Sequence, residues 1–356
     1  MNKNDDEKFI RKSIRLALKA KGKTSPNPLV GAIIVKDGEV ISKGYHKGFG
    51  KPHAEIEAIN SAPVPLAGST LYVTLEPCSV WGKTPPCVET IKEIPFKRIV
   101  IGMKDPNPSV NGRSIKILRD AGYTVEVGVC EDEVKKLNPY FQNYIKCLKT
   151  YIVLKVAISN DNFIYSKNFK ERYITSFESR IDLHRKRFEF DGILVGSNTV
   201  NVDDPLLDTR NIKSEYKPKV VILDFSNKLD YSKKIFKDKK RLKIIIVSEK
   251  FKKVLKDKKD VRYIFVKNKK ESWNFVKNRI CDFRIISLLI EGGKKVFLDS
   301  LKNKVIDEVW IYRSEVKLSK GIKFDIEKIL KKEKFKLIEE KKIKEDIFKR
   351  YICLQE

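Results

Sequence analysis

The sequence predicts two α/β domains in one chain, residues 1–149 and residues 150–356. Three observations predict this. At 356 residues the chain is longer than a single core usually supports, roughly 250 residues. Strand-like apolar runs alternate with helix-like segments in both halves, the pattern of a sheet covered on both faces. Hydrophobic residues at 41% and charged residues at 34% give both cores enough apolar surface without disulfide or membrane support.

The elements follow in order. Ile10, Ile14, Ala17 and Leu18 fall at helical spacing and Gly22 stops the run, so residues 6–21 read as an amphipathic helix. Residues 29–35 form a buried strand, Lys36-Asp37-Gly38 a tight turn and residues 39–45 its returning partner. A helix over residues 54–60, a strand over 70–75, a helix over 87–94, a strand over 98–103, a helix over 114–121 and a strand over 123–127 complete the first half. One helix over residues 131–149 carries the chain out. The second half begins with a strand at residues 151–158 and a helix at 178–190, then strands at 192–196, 219–224, 243–248 and 262–266. A helix at residues 270–281, a strand at 285–291 running into Gly292-Gly293, and strands at 308–313 and 347–354 close it.

The formal net charge is +28, from 75 Lys plus Arg against 47 Asp plus Glu, which invites a nucleic-acid reading. The lysines are spread through residues 233–243, 252–259 and 331–344 without interleaved aromatic stacking platforms, so a solvated surface explains them better and no nucleic-acid partner is expected. Residues 1–8 show no basic start leading into an apolar run, and no stretch approaches the roughly 20 residues needed to span a bilayer. The expectation is a cytoplasmic protein without a membrane partner. Six widely spaced cysteines then point to metal binding or burial.

The chemistry concentrates in one constellation. His53-Ala54-Glu55 opens a helix after Pro52, and Pro77-Cys78 and Cys87 follow a strand and a loop. A catalytic zinc takes three nitrogen or sulfur ligands and leaves a fourth position for water, so His53, Cys78 and Cys87 make a complete ligand set. Such a metal lowers the pKa of water. Glu55, two residues beyond the histidine, is placed to move protons. Zinc nucleobase deaminases carry H-x-E followed by P-C-x-x-C. Here eight residues, not two, separate the cysteines, and the loop 79–86 between them should border a pocket. Cys130, Cys147, Cys281 and Cys353 have no ligand-like neighbours and read as buried thiols.

Pro26-Asn27-Pro28, Gly44-Tyr45-His46, Pro52-His53-Ala54-Glu55, the run from Pro77-Cys78 through Lys83 to Cys87, and Asp105-Pro106-Asn107-Pro108 occur in this order. Together they resemble the deaminase domain of the bifunctional riboflavin-biosynthesis deaminase and reductase family, in which the wide cysteine spacing is usual. The resemblance implies a cytidine-deaminase-like three-layer domain. It also implies that Asn27, His46, Lys83, Asp105 and Asn107 hold a pyrimidine and its ribose phosphate. Val80 and Trp81 stand where family members commonly carry histidines.

In the second half, residues 155–161, Tyr173-Ile174-Thr175-Ser176, a helix bearing Arg180, His184 and Arg187, residues 195–199, and residues 203–207 with Arg210 resemble the same family's reductase domain. The implied fold is dihydrofolate-reductase-like and the implied cofactor NADPH. Ala157, Tyr173, Thr199, Asp203, Gly292 and Gly293 would face the cofactor. Arg187, Leu207, Arg210 and Glu291 would face the substrate, the two arginines being suited to its phosphate. A Gly-Gly before a helix also offers amides to a pyrophosphate. Asn160, Asn162, Glu171, Tyr173 and Glu315 depart from the family pattern. His184 reads as a helix-surface residue, and no separate acid for the reduction is evident.

The expected function is zinc-dependent hydrolytic deamination of a phosphorylated diaminopyrimidine, then NADPH-dependent reduction of its ribosyl group, by a homo-oligomer as the resemblance implies. Three alternatives stay open: a nucleic-acid or nucleoside deaminase with a basic accessory domain, a deaminase with a degenerate reductase half, and a binding protein stapled by structural zinc.

Overall fold

A computed structural model describes residues 3–81, 85–167, 173–210 and 216–354. Two compact units divide the chain, Met1–Leu148 and Lys149–Glu356.

The first unit is built on five strands: β1 (Gly31–Lys36), β2 (Glu39–Tyr45), β3 (Thr70–Leu75), β4 (Arg98–Met103) and β5 (Thr124–Val127). Their order is β2-β1-β3-β4-β5. β1 runs antiparallel to β2 and β3, whereas β3, β4 and β5 are parallel. The helices are α1 (Lys3–Ala17), α2 (Ala54–Asn60), α3 (Cys87–Lys92), α4 (Arg113–Asp120), α5 (Glu131–Leu137) and α6 (Pro139–Cys147). Because strand side chains alternate between faces, Ala32, Ile34, Leu71, Val73, Ile99 and Ile101 bury against α2, α3 and α4. The intervening Ile33, Val35, Tyr72 and Val100 bury against Phe9 and Ile10 of α1 and Val134 of α5. This is a three-layer sandwich.

The single helix expected over residues 131–149 is two. Pro139 cannot donate to the ladder and pushes the residue before it out of helical geometry, and Asn138 sits at φ −128°. Its side chain instead bonds both backbone groups of Leu29, accepting from the amide at 2.7 Å and donating to the carbonyl at 2.8 Å. α1 also stops four residues short of the expected end and tightens into a 3₁₀ turn over Leu18–Ala20.

The second unit holds β6 (Tyr151–Ile158), β7 (Phe163–Tyr165), α7 (Phe177–Arg187), β8 (Gly192–Gly196), α8 (Ser197–Asp203), β9 (Lys219–Leu223), β10 (Lys243–Ser248) and β11 (Val261–Val266). After these come α9 (Lys269–Asn278), β12 (Ser287–Ile290), α10 (Lys294–Lys302), β13 (Glu308–Arg313), β14 (Ile322–Lys323), α11 (Ile326–Lys332), β15 (Phe335–Ile343) and β16 (Asp346–Cys353). Nine strands form one sheet in the order β11-β10-β9-β8-β12-β6-β13-β16-β15. The first seven are parallel and the hairpin β15–β16 adds antiparallel. The lysine-rich stretch 331–344, expected as solvated surface, contains that edge strand. β15 has no buried residue and is mostly exposed, and its lysines blunt an open edge. Within 233–243, by contrast, Arg241 and Lys243 are buried, Lys243 pairing with Asp260 at 2.9 Å. Of the four cysteines expected to be buried, Cys147 is exposed and Cys130, Cys281 and Cys353 are only part-buried. Among the described residues, no helix is long and apolar enough to cross a membrane.

Candidate active sites and their relatives

The end of β3 and the start of α2 and α3 converge on His53, Cys78 and Cys87. His53 is the residue preceding α2, Cys87 opens α3, and Cys78 lies three residues past β3. His53 Nδ1 is 3.2 Å from Cys87 Sγ and 3.5 Å from Cys78 Sγ. All three ligand atoms lie within 4.8 Å of one another, and no further His, Cys, Asp or Glu joins them among the described residues. The Cys87 thiol bonds to the Cys78 sulfur, which draws the Cys78 pKa down and, with burial, pushes the Cys87 pKa up. A dication touching both sulfurs would let both ionise, which fits this nitrogen and sulfur set to zinc.

Glu55 is 3% exposed on the first turn of α2. Burial pushes its carboxyl up to about 7, against the opposing pull of His53. Around it a cavity of about 350 Å³ is lined by Asn27, His46, His53, Glu55, Cys78, Val80, Asp105 and Asn107 among others. Lys83 lies outside the described residues. His46 is buried with both ring nitrogens engaged: Nδ1 lies 3.0 Å from the Pro52 carbonyl and Nε2 3.1 Å from Asn27 Nδ2. A carbonyl only accepts, so Nδ1 carries a proton. In the neutral ring Nε2 accepts from the Asn27 amide, which leaves Asn27 Oδ1 as the acceptor turned to other partners. Asp105 accepts from the Asn107 amide at 2.8 Å, and burial raises its carboxyl to about 6.

Glu76 was not singled out by the motifs. Its carboxylate accepts from Asp105 N at 3.2 Å, Gly112 N at 2.9 Å and Ser114 Oγ at 2.7 Å, pinning the loop that carries Asp105 and Asn107. The available signal is a glutamate at the end of a wholly buried strand, immediately before Pro77-Cys78.

The second unit opens a cavity of about 740 Å³ at the C-terminal ends of its parallel strands, where open α/β sheets bind ligands. Ala157, Tyr173, Thr199, Asp203, Arg187, Leu207, Arg210 and Glu291 all line it. Gly292 and Gly293 do not. Gly293 caps α10 without a side-chain cap, and its amide donates to Thr199 Oγ1 at 3.3 Å. Arg187 is not free for a phosphate, because its fork is spent on Glu291 (2.6 and 2.8 Å) and on the Asp208 carbonyl (3.2 Å). Arg210, paired at 2.7 Å with Asp208, is half exposed and remains the phosphate candidate of the two.

Two wall residues escaped the sequence reading. Lys155 shares a face of β6 with Ala157, and burial lowers its pKa despite the pull of Glu291. A lysine inside the apolar run 152–158 was the signal. His184, read as a surface residue, lines the cavity instead. Its Nδ1 is buried with no hydrogen-bond partner among the described residues, and its pKa is lowered, chiefly by burial and then by Arg187.

The cavity, the three-ligand cluster and the three-layer fold define the first unit as a zinc-type pyrimidine deaminase module, joined here to a second α/β unit with its own site. Residues 3–103 match the model for the cytidine and deoxycytidylate deaminase zinc-binding region, and residues 150–347 match that for the RibD C-terminal domain. The riboflavin biosynthesis protein RibD of Aquifex aeolicus is 36% identical over 97% of this chain and 99% of its own. RibD of Escherichia coli is 40% identical over 58% of this chain and 56% of its own. Among solved structures, the Thermotoga maritima diaminohydroxyphosphoribosylaminopyrimidine deaminase and 5-amino-6-(5-phosphoribosylamino)uracil reductase superposes with a TM-score of 0.85 at 33% identity, covering 99% of both chains. RibD of Acinetobacter baumannii gives 0.84 at 31%, covering 99% of this chain and 100% of its own. The chain belongs to the RibD family of bifunctional riboflavin-biosynthesis proteins.

Proposed function

We propose that the chain carries out two successive steps of riboflavin biosynthesis, with residues 1–149 deaminating 2,5-diamino-6-(5-phosphoribosylamino)pyrimidin-4(3H)-one and residues 150–356 reducing the ribosyl group of the product to ribityl with NADPH. The observation that carries the first half is the three-ligand cluster beside a buried carboxylate. Zinc held by His53, Cys78 and Cys87 supplies the Lewis acidity that makes water nucleophilic near neutral pH. Glu55 takes the proton of the attacking water and returns it to the departing amino nitrogen, so that ammonia leaves. Burial raises its carboxyl above the ordinary carboxylate range, which favours taking up a proton. Asn27, oriented by His46, reads a donor on the substrate, and Asp105 and Asn107 line the same cavity.

NADPH supplies the hydride for the second step. Ala157, Tyr173, Thr199 and Asp203 form its wall of the larger cavity, and Leu207, Arg210 and the Arg187–Glu291 pair form the substrate's. As the ribosyl ring opens its oxygen must gain a proton, and the Lys155 ammonium is placed to give it. The family resemblance supports a homo-oligomer. The spread of the lysines supports a small phosphorylated pyrimidine as the substrate, without a nucleic-acid partner.

The test supplies that pyrimidine phosphate to zinc-loaded protein and follows ammonia, then NADPH absorbance. Ammonia release that persists in Glu55→Gln, or zinc bound by four protein ligands, would sink the deaminase mechanism.

A further inference from the structure

Arg241 lies outside both cavities, yet it holds the substrate wall of the larger one. It precedes β10 and is 6% exposed. Its guanidinium donates to three backbone carbonyls from two separate segments: Leu206 at 2.6 Å, Leu207 at 2.5 Å and Pro218 at 2.5 Å. Burial pulls its pKa down to about 10, and Asp208 and Asp238 offset this only in part. Among the described residues the guanidinium hydrogen-bonds only to carbonyls, a costly burial for a cation, so its donors are fixing something. Leu206 and Leu207 line the cavity, and the same loop bends through the left-handed region at Asp204 (φ 40°) and Leu207 (φ 48°). Neither residue is a glycine, and L side chains disfavour this conformation. Arg187 holds the next carbonyl, Asp208, from the cavity side.

We propose that Arg241 is a positioning residue for the reduction: by clamping the Leu206 and Leu207 carbonyls from behind, it holds Leu207 and Arg210 at the substrate. This rests on the reductase reading above. Only a planar fork with several fixed donors serves three carbonyls at once; lysine keeps the charge and loses the geometry.

The experiment uses the full zinc-loaded chain as wild type, Arg241→Ala and Arg241→Lys. The expected result is a KM for the reduction raised about tenfold or more in both variants, the scale of buried carbonyls left unpaired, with kcat changed far less and ammonia release unaltered. Added guanidinium at low millimolar concentration should restore KM in Arg241→Ala. Amide exchange over residues 206–210 should accelerate in both variants, read without any substrate. Wild-type KM, a selective KM rise that guanidinium leaves in place, equal loss of both activities, or unchanged exchange at 206–210 would each overturn the clamp. Absence of NADPH oxidation in the wild type would instead count against the reductase reading, leaving the exchange measurement to judge the clamp.

Discussion

Arg187 and Glu291 meet fork to fork, Nε on Oε1 at 2.6 Å and Nη2 on Oε2 at 2.8 Å, with side chains only 12% and 6% exposed. The pair joins the last turn of α7 to the end of β12 across the wall of the larger cavity. Removing one partner of a buried pair typically costs about 3–5 kcal/mol, because the other charge is left uncompensated. Glu291→Gln should therefore lower the unfolding transition of the second unit and abolish NADPH oxidation, with ammonia release retained. Arg187→Lys keeps charge but not the two parallel bonds, and should reduce kcat/KM of the reduction about a hundredfold. Calorimetry and the two coupled assays check both.

Lys155 gives a pH prediction. Burial lowers its pKa below the ordinary 10.5, Glu291 pulls it back and Arg187 adds to the lowering. The donor is the ammonium, so the reduction should lose rate as pH rises through that lowered pKa, earlier than an ordinary lysine would allow. Lys155→Met should be inactive in reduction at every pH, and its deamination should follow the wild-type profile. A reduction rate flat from neutral pH to the onset of alkaline unfolding would remove Lys155 from the proton path.

His46 has no free nitrogen for a substrate, so its effect should pass through Asn27. His46→Phe leaves the Asn27 amide and the Pro52 carbonyl without their partner, each loss on the order of 1–3 kcal/mol. The deaminase KM should rise about tenfold or more while the metal stays stoichiometric. Atomic absorption beside steady-state ammonia release distinguishes this from loss of zinc.

What the sequence disclosed follows the range of the forces involved. His53, Glu55, Cys78 and Cys87 were legible because each is fixed by a short local signal: a proline before a helix, a glutamate two residues on, a Pro-Cys after a strand. Buried strands such as residues 243–248 were legible as apolar runs. The break at Asn138-Pro139 is also local, since the proline signals it. Arg241, Lys243 and His184 were illegible for another reason. Their surroundings are built from carbonyls, carboxylates and cavity walls far away in sequence, and a lysine-rich window looks the same whether its members are solvated or buried. Arg187 was assigned to the phosphate because nothing in its own helix reveals that Glu291, 104 residues on, occupies its fork.

Glu55 should cost the metal-free protein stability. Its folded carboxyl titrates near 7 and its ordinary value is 4.5, with burial the first cause. A folded pKa above the unfolded one means that the folded state holds its proton more tightly, so stability is full below about 4.5 and declines as pH rises through about 7. The penalty at pH 8 is on the order of 3 kcal/mol. Glu55→Gln keeps the shape and removes the titration. After chelation, the variant should therefore be more stable than wild type at pH 8 and nearly equal to it at pH 4, while ammonia release from its zinc form is lost. Urea unfolding of both apoproteins at the two pH values measures the difference. Equal midpoints at pH 8 would show that the carboxylate is solvated in the metal-free protein and would overturn the burial penalty.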